Sequence, residues 1–161
     1  MSKAIAVLLA ALAFVGTIRA ASAEDLEFRE VVHIASLATQ EIGDVDGHVL
    51  ALVRTSGIAS FQDGSTALAG FVAQLDLVKG SGTIATIGSL TFDDGSVLWY
   101  RTAGSATLEG SRTLFKGTIT VTGGKGRFAN AKGEGGFTGV RISPLGVGAD
   151  AFFDQMITVK K

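Results

Sequence analysis

The stretch "TGGKGRFANAKGEG", residues 122–135, decides the fold. From Gly124 it runs Gly-Lys-Gly-Arg-Phe-Ala, which matches the G-x-G-x-x-G/A loop that seats a dinucleotide pyrophosphate on a helix N-terminus. The strand-like "TLFKGTITV" comes just before it, as that motif requires. The dinucleotide reading also needs a helix that continues past Ala129. The next residues are "NAKGEGG", and Gly133, Gly135 and Gly136 would break such a helix at once. The Gly-Lys-Ser/Thr of a phosphate loop is missing as well. The stretch therefore reads as a connection between two strands. Gly123 and Gly124 supply positive φ where the first strand ends. "KGRFANA" closes a tight loop with a short helical turn, and Phe128 folds back to plug the end of a barrel. Gly133 and Gly135 open the next strand with no side chain to obstruct a close neighbour.

Outward from that loop the dominant signal is alternation. In "TALAGFVAQLDLV" the residues Ala67, Ala69, Phe71, Ala73, Leu75 and Leu77 form an apolar set. Phe115, Ile119 and Val121 oppose Lys116, Thr118, Thr120 and Thr122, and Ala151, Phe153, Ile157 and Val159 oppose Asp154, Thr158 and Lys160. These are period-two patterns of half-buried strands. Turn signals separate them: "QDG" at 62–64, "KGSG" at 79–82, "DDG" at 93–95 and "LEGS" at 108–111. The spacing predicts eight strands, at 30–42, 47–60, 66–78, 83–92, 96–108, 113–122, 131–142 and 150–159. Glu24 to Arg29 is left as a flexible lead-in. No helix-period segment lies between the strands, so nothing supplies parallel crossovers. The fold class expected is all-β, an eight-stranded antiparallel up-and-down β-barrel, because closure removes exposed sheet edges. A two-layer sandwich is the competing architecture.

The whole chain sets further bounds. Lys3, the apolar run "AIAVLLAALAFVGTI" and the small-residue site "ASA" form a secretory signal peptide over residues 1–23, followed by a single domain over 24–161. A retained membrane anchor is the alternative, but Arg19 cuts the apolar stretch short of the roughly 20 residues a span needs. The protein is thus expected to be exported, to the periplasm or beyond, with no membrane association after cleavage. Removing Lys3 and Arg19 from the 14 basic residues leaves 12 against 15 acidic ones, a net charge of −3 with no basic stripe, so no nucleic-acid partner is expected. With no cysteine there are no disulfides, thiolate metal sites or cysteine nucleophiles. His33 and His48 are the only histidines, and no carboxylate sits at ligand spacing to make a metal site persuasive, so no metal and no cofactor is expected. "FDDGS" has the start of a calcium loop without the remaining ligands and reads as a turn.

The segment "GTITVTGGKGRFANAKGEGGFTG", residues 117–139, resembles the "TGGTGxFxxAxG" signature of the allene oxide cyclase and dirigent proteins and their small bacterial relatives. The preceding "GSGTIATIGSLTFDDGS" is similar to them too. The resemblance implies an eight-stranded antiparallel barrel with a central cavity, often trimeric, that acts on or steers hydrophobic small molecules. The motif marks the scaffold, and no catalytic residue is carried over from it.

Polar residues that interrupt the apolar, lumen-facing parity of a strand are the informative ones. Four qualify as lumen candidates for ligand binding. Gln40 shares a face with Ile34, Ala38 and Ile42; Tyr100 with Leu98, Ala106 and Leu108; Arg141 with Phe137; and Gln155 with Phe153 and Ile157. Arg141 could hold a substrate carboxylate or phenolate, or could sit near a rim paired with Glu134 or an aspartate. Tyr100 could donate to a developing oxyanion. The opposite faces are not cleanly polar: Leu52, Leu68, Val72, Val78 and Trp99 point the other way. Outer apolar patches of this kind suit burial against other subunits, so a homo-oligomer is expected, with a trimer favoured by the resemblance. Three functions stay open: a barrel binding a small hydrophobic molecule, a cofactor-free cyclase, isomerase or dirigent-type steering protein, and a structural subunit with a filled lumen.

Overall fold

The computed structural model describes residues 23–160; the expected signal peptide, all but its last residue, lies outside the described residues. Eight strands succeed one another: β1 (Ala23–Glu41), β2 (His48–Phe61), β3 (Thr66–Val78), β4 (Ser81–Phe92), β5 (Val97–Glu109), β6 (Arg112–Lys125), β7 (Lys132–Arg141) and β8 (Asp150–Lys160). Each pairs antiparallel with its sequence neighbours, and β1 pairs with β8 to close the barrel. The up-and-down barrel is therefore the architecture, and the sandwich is not.

The lead-in expected at Glu24–Arg29 is instead the first part of β1. Ala23–His33 pairs with β8 and Phe28–Glu41 with β2, so one long strand forms the seam of the closed sheet. The reason is visible in the side chains: Leu26, Phe28, Glu30, Val32 and Ile34 alternate inward and are all buried.

Two turns on one end of the barrel have the same chemistry. In "DGS" at 63–65, Asp63 Oδ1 accepts from the Ser65 N–H at 2.9 Å and the Ser65 hydroxyl at 2.6 Å. In "DGS" at 94–96, Asp94 accepts from the Ser96 N–H at 2.8 Å and its hydroxyl at 3.0 Å. Both glycines have positive φ. "FDDGS" is thus a turn. At the same end the β6–β7 loop forms a single 3₁₀ turn, Gly126–Phe128, with Phe128 completely buried. The plug lies where the sequence puts it. Positive φ falls on Gly123 and Gly126; Gly124 is needed for space, since a Cβ there would strike the Val97 carbonyl.

Candidate functional site

The two ends of the lumen differ. At the end with the Asp-Gly-Ser turns, Phe28, Phe61, Phe92 and Phe128 form an unbroken chain, with ring centroids 5.1, 5.5 and 5.0 Å apart. Leu90, Leu98, Ile157 and Val159 fill the space around them and have no exposure. Toward the other end lies a cavity of about 60 Å³, where one water needs about 10–15 Å³, so it is several waters or a small ring in size. Phe71, Phe115, Phe137 and Phe153 form much of its apolar wall, and Leu145 from the β7–β8 connection lies at its outer end.

The polar groups of the cavity come from distant strands. Glu30 on β1, Tyr100 on β5 and Gln155 on β8 meet at its inner end, each at most 6% exposed. The Gln155 amide donates to Glu30 Oε2. Glu30 Oε1, the Tyr100 hydroxyl and Gln155 Oε1 are buried without a hydrogen bond from the protein. Burial pushes the Glu30 carboxyl up to about 7, against the opposing pull of Gln155 and the Tyr100 hydroxyl. The Tyr100 phenol is held well above its ordinary value, first by burial and then by the charge of Glu30. The hydroxyl is thus near enough to feel the carboxyl but stands outside hydrogen-bonding geometry. A buried carboxyl near neutrality with a free oxygen can accept a proton or a hydrogen bond from a guest.

Glycines opposite the aromatic rings shape the walls. Gly88 pairs with Tyr100, Gly117 with Phe137 and Gly139 with Phe153. A Cβ on Gly88 would lie 2.5 Å from Tyr100 Cζ and 2.7 Å from its hydroxyl, so the phenol occupies the space that the glycine leaves. The threonines that line the cavity are already satisfied: Thr55 Oγ1 bonds the Phe71 backbone at 3.1 and 3.2 Å, and Thr86 and Thr102 bond each other at 2.8 Å.

Arg141 lines the cavity nearer its outer end and is 6% exposed. Its partners are neutral. Nε donates to the Ser143 carbonyl at 3.0 Å and Nη2 to Thr113 Oγ1 at 2.9 Å, and the guanidinium stands 5.6 Å over the Phe115 ring. Burial lowers its pKa, but from so high a value that it stays charged. The expected rim pairing with Glu134 or an aspartate is not made, because the guanidinium is turned to Ser143 and Thr113 instead.

Three of the four sequence candidates, Tyr100, Arg141 and Gln155, therefore line one cavity. Gln40 does not. A bulge between Ile34 and Ser36 inserts an extra residue into β1, which reverses inward and outward beyond it. Gln40 is exposed, with its amide donating to the Glu41 carbonyl at 2.8 Å, and Ala38 and Ile42 are exposed with it. Leu108, expected beside Tyr100, is exposed at the end of β5. Glu30 is the residue that sequence reasoning missed. An acid amid Leu26, Phe28, Val32 and Ile34 carries the same signal as Gln155, but a first strand that starts at residue 30 hides the pattern. Outside the cavity, His33 meets Asp150 on the surface at 3.1 Å, and His48 bridges Asp44 and Asp76. Among the described residues no group of three or more histidines and acids is arranged so that it could hold a metal ion.

The architecture has counterparts among solved structures. The pterocarpan synthase dirigent protein PsPTS1 superposes with a TM-score of 0.54 at 14% identity, covering 86% of this chain and 95% of that one. The pterocarpan synthase dirigent protein GePTS1 gives 0.52 at 13%, covering 98% and 100%. The chain has the barrel fold of these dirigent proteins. At such identities the likeness is one of fold. No protein-family profile and no curated protein matches the sequence.

Proposed function

We propose that this dirigent-like barrel binds a small, largely apolar molecule in the hollow half of its lumen and orients it through a polar group set against Glu30, Tyr100 and Gln155. The observation that carries the reading is the polar cluster at the inner end of an apolar cavity, with three buried polar atoms unpartnered. Unsatisfied buried groups are costly in a structural core. In a binding site they are what a guest satisfies. A lumen built only as filler would close around such groups or replace them with apolar side chains.

A second reading, a cofactor-free cyclase, isomerase or steering protein, is favoured by Glu30. A carboxyl titrating near 7 can take or give a proton at neutral pH, and a confining cavity can select one product of a reactive guest. Export and self-association belong to the same proposal. The outer face of β2–β5 exposes Leu52, Leu68, Val72, Ile87 and Trp99, a patch suited to other copies of the barrel, with a trimer as the expected form.

The test is a titration of isotope-labelled protein with 4-ethylphenol, monitored by methyl and amide NMR. The reading predicts saturable shifts at Val53, Ala73, Ile84 and Ala151 around the cavity and none at Ala59, Leu90 or Val159 in the packed end. Shifts confined to the outer surface, or none at all, would refute it.

A further inference from the structure

The two buried charged side chains among the described residues are Glu30 and Arg141, and both line the same cavity. They do not neutralise each other. Glu30 is bonded to Gln155, and the influences on its protonation are burial, Gln155 and Tyr100, with no contribution from a cation. Arg141 is bonded to a hydroxyl and a carbonyl, both neutral. Among the described residues the arginines paired with acids are on the surface: Arg29 with Asp154 and Arg127 with Asp94.

An arginine residue only 6% exposed that lacks an anion carries a cost, and an anion arriving with a guest relieves it. The geometry leaves the means for it. Nε and one proton of Nη2 are committed, while both protons of Nη1 and the second of Nη2 are not. Nη1 is therefore the donor left for an incoming carboxylate, on a planar guanidinium that a lysine cannot reproduce. Between this pole and the Glu30 cluster the wall is aromatic, with Phe153 in contact with both Phe115 and Phe137.

We propose, building on the ligand-binding reading above, that the guest is a small aromatic carboxylate bearing a hydrogen-bond donor: its acid group on Arg141, its ring among Phe115, Phe137 and Phe153, and its donor on the free oxygens of Glu30 and Gln155. A neutral hydrocarbon would leave both poles unpaired. An organic cation would face Arg141 unfavourably. The competing role for Arg141 is a tie that holds the β7–β8 connection to β6 through Ser143 and Thr113.

Calorimetric titration with matched probes separates these. 4-Hydroxyphenylacetate, its primary amide and phenylacetate share one skeleton. The expected result is that the acid binds the wild-type chain at least ten-fold more tightly than the amide, and that phenylacetate falls below the hydroxylated acid. Arg141→Gln should bring the acid down to the level of the amide, and Arg141→Lys should recover only part of the preference, because a lysine lacks the planar guanidinium. Equal binding of acid and amide to the wild type overturns the proposal while leaving the cavity reading intact. So does a loss of acid and amide in equal measure in a folded Arg141→Gln chain, which marks the arginine as a tie only. If none of the three probes nor 4-ethylphenol binds the wild type, the ligand-binding reading itself fails, and this inference with it. Should Arg141→Gln not fold, the wild-type comparison of acid with amide still decides.

Discussion

The two ends of this barrel are made from the same eight strands and the same kinds of residue, yet one is closed and the other is hollow. At the closed end every device converges. Phe28, Phe61, Phe92 and Phe128 touch in series. Arg127 lies over Phe92 at 4.3 Å and over Phe128 at 4.9 Å, pairs with Asp94, and donates its backbone N–H to the Ser96 hydroxyl at 3.0 Å. The plug, the turn and the core thus constrain one another. At the hollow end the β7–β8 connection is held to β1 by two backbone bonds, Ile34 N–H to the Ala149 carbonyl and Gly148 N–H to the Ile34 carbonyl, and to β7 by Arg141 through the Ser143 carbonyl. The difference teaches that stability is concentrated where the lumen is filled, which leaves the other half free to keep unpaired polar groups.

The largest effect should come from attacking the closed end. Phe128→Ala removes a fully buried ring and is expected to cost about 4 kcal/mol, whereas Phe71→Ala, partly buried beside existing space, should cost about 2 kcal/mol or less. Urea denaturation of the two variants measures this directly. Equal costs would mean that the two ends are not mechanically distinct.

The next effect depends on pH. Glu30 has its pKa raised from 4.5 to about 7, so the folded chain keeps a proton that the unfolded chain releases. Stability is therefore fully present below about pH 4.5 and is lost as pH rises through about 7, by roughly 3 kcal/mol in all. Glu30→Gln should remove this slope and be the more stable chain at pH 8, its carbonyl still accepting from Gln155. Parallel pH profiles for the two chains would show that the carboxyl is not buried as described.

A subtler change sharpens the comparison from within the cavity. Gly88→Ala places a methyl against the Tyr100 phenol, and overpacking of this kind costs about 2 kcal/mol. It should also weaken 4-ethylphenol binding several-fold by displacing Tyr100. Thermal melts and the NMR titration measure the two effects separately.

The smallest effect belongs to His48, at the hollow end. Asp44 and Asp76 both raise its pKa by hydrogen bonding, so the bridge is at full strength below the ordinary histidine value and is lost as pH rises through the raised one. His48→Gln should speed amide exchange over residues 42–47 at pH 6 and have little effect at pH 9, with the closed end unchanged at both.

Much of the barrel was legible because its information is local. Period-two alternation and Asp-Gly turns specify strands and hairpins residue by residue, and β3 begins and ends where the pattern does, at Thr66–Val78. The rest depends on pairing partners that lie far away in sequence. The first half of β1 alternates in its own sequence but is fixed as a strand by its pairing with β8, and the bulge that turns Gln40 outward is set by register against β2. The site shares this property. Tyr100, Arg141 and Gln155 each interrupt an apolar face, which the sequence shows. That Gln155 meets Glu30, 125 residues away, is a consequence of closure alone. That Arg141 turns to neutral partners depends on where Ser143 and Thr113 fall.

The most direct test of the account is diffraction from crystals of the chain soaked in 4-ethylphenol. The account predicts one molecule in the lumen, its ring among Phe115, Phe137 and Phe153 and its hydroxyl within hydrogen-bonding distance of Glu30 or Gln155, with the Phe28–Phe128 end unaltered. A lumen closed by collapsed phenylalanines, with the phenol found only on the outer faces, would contradict it.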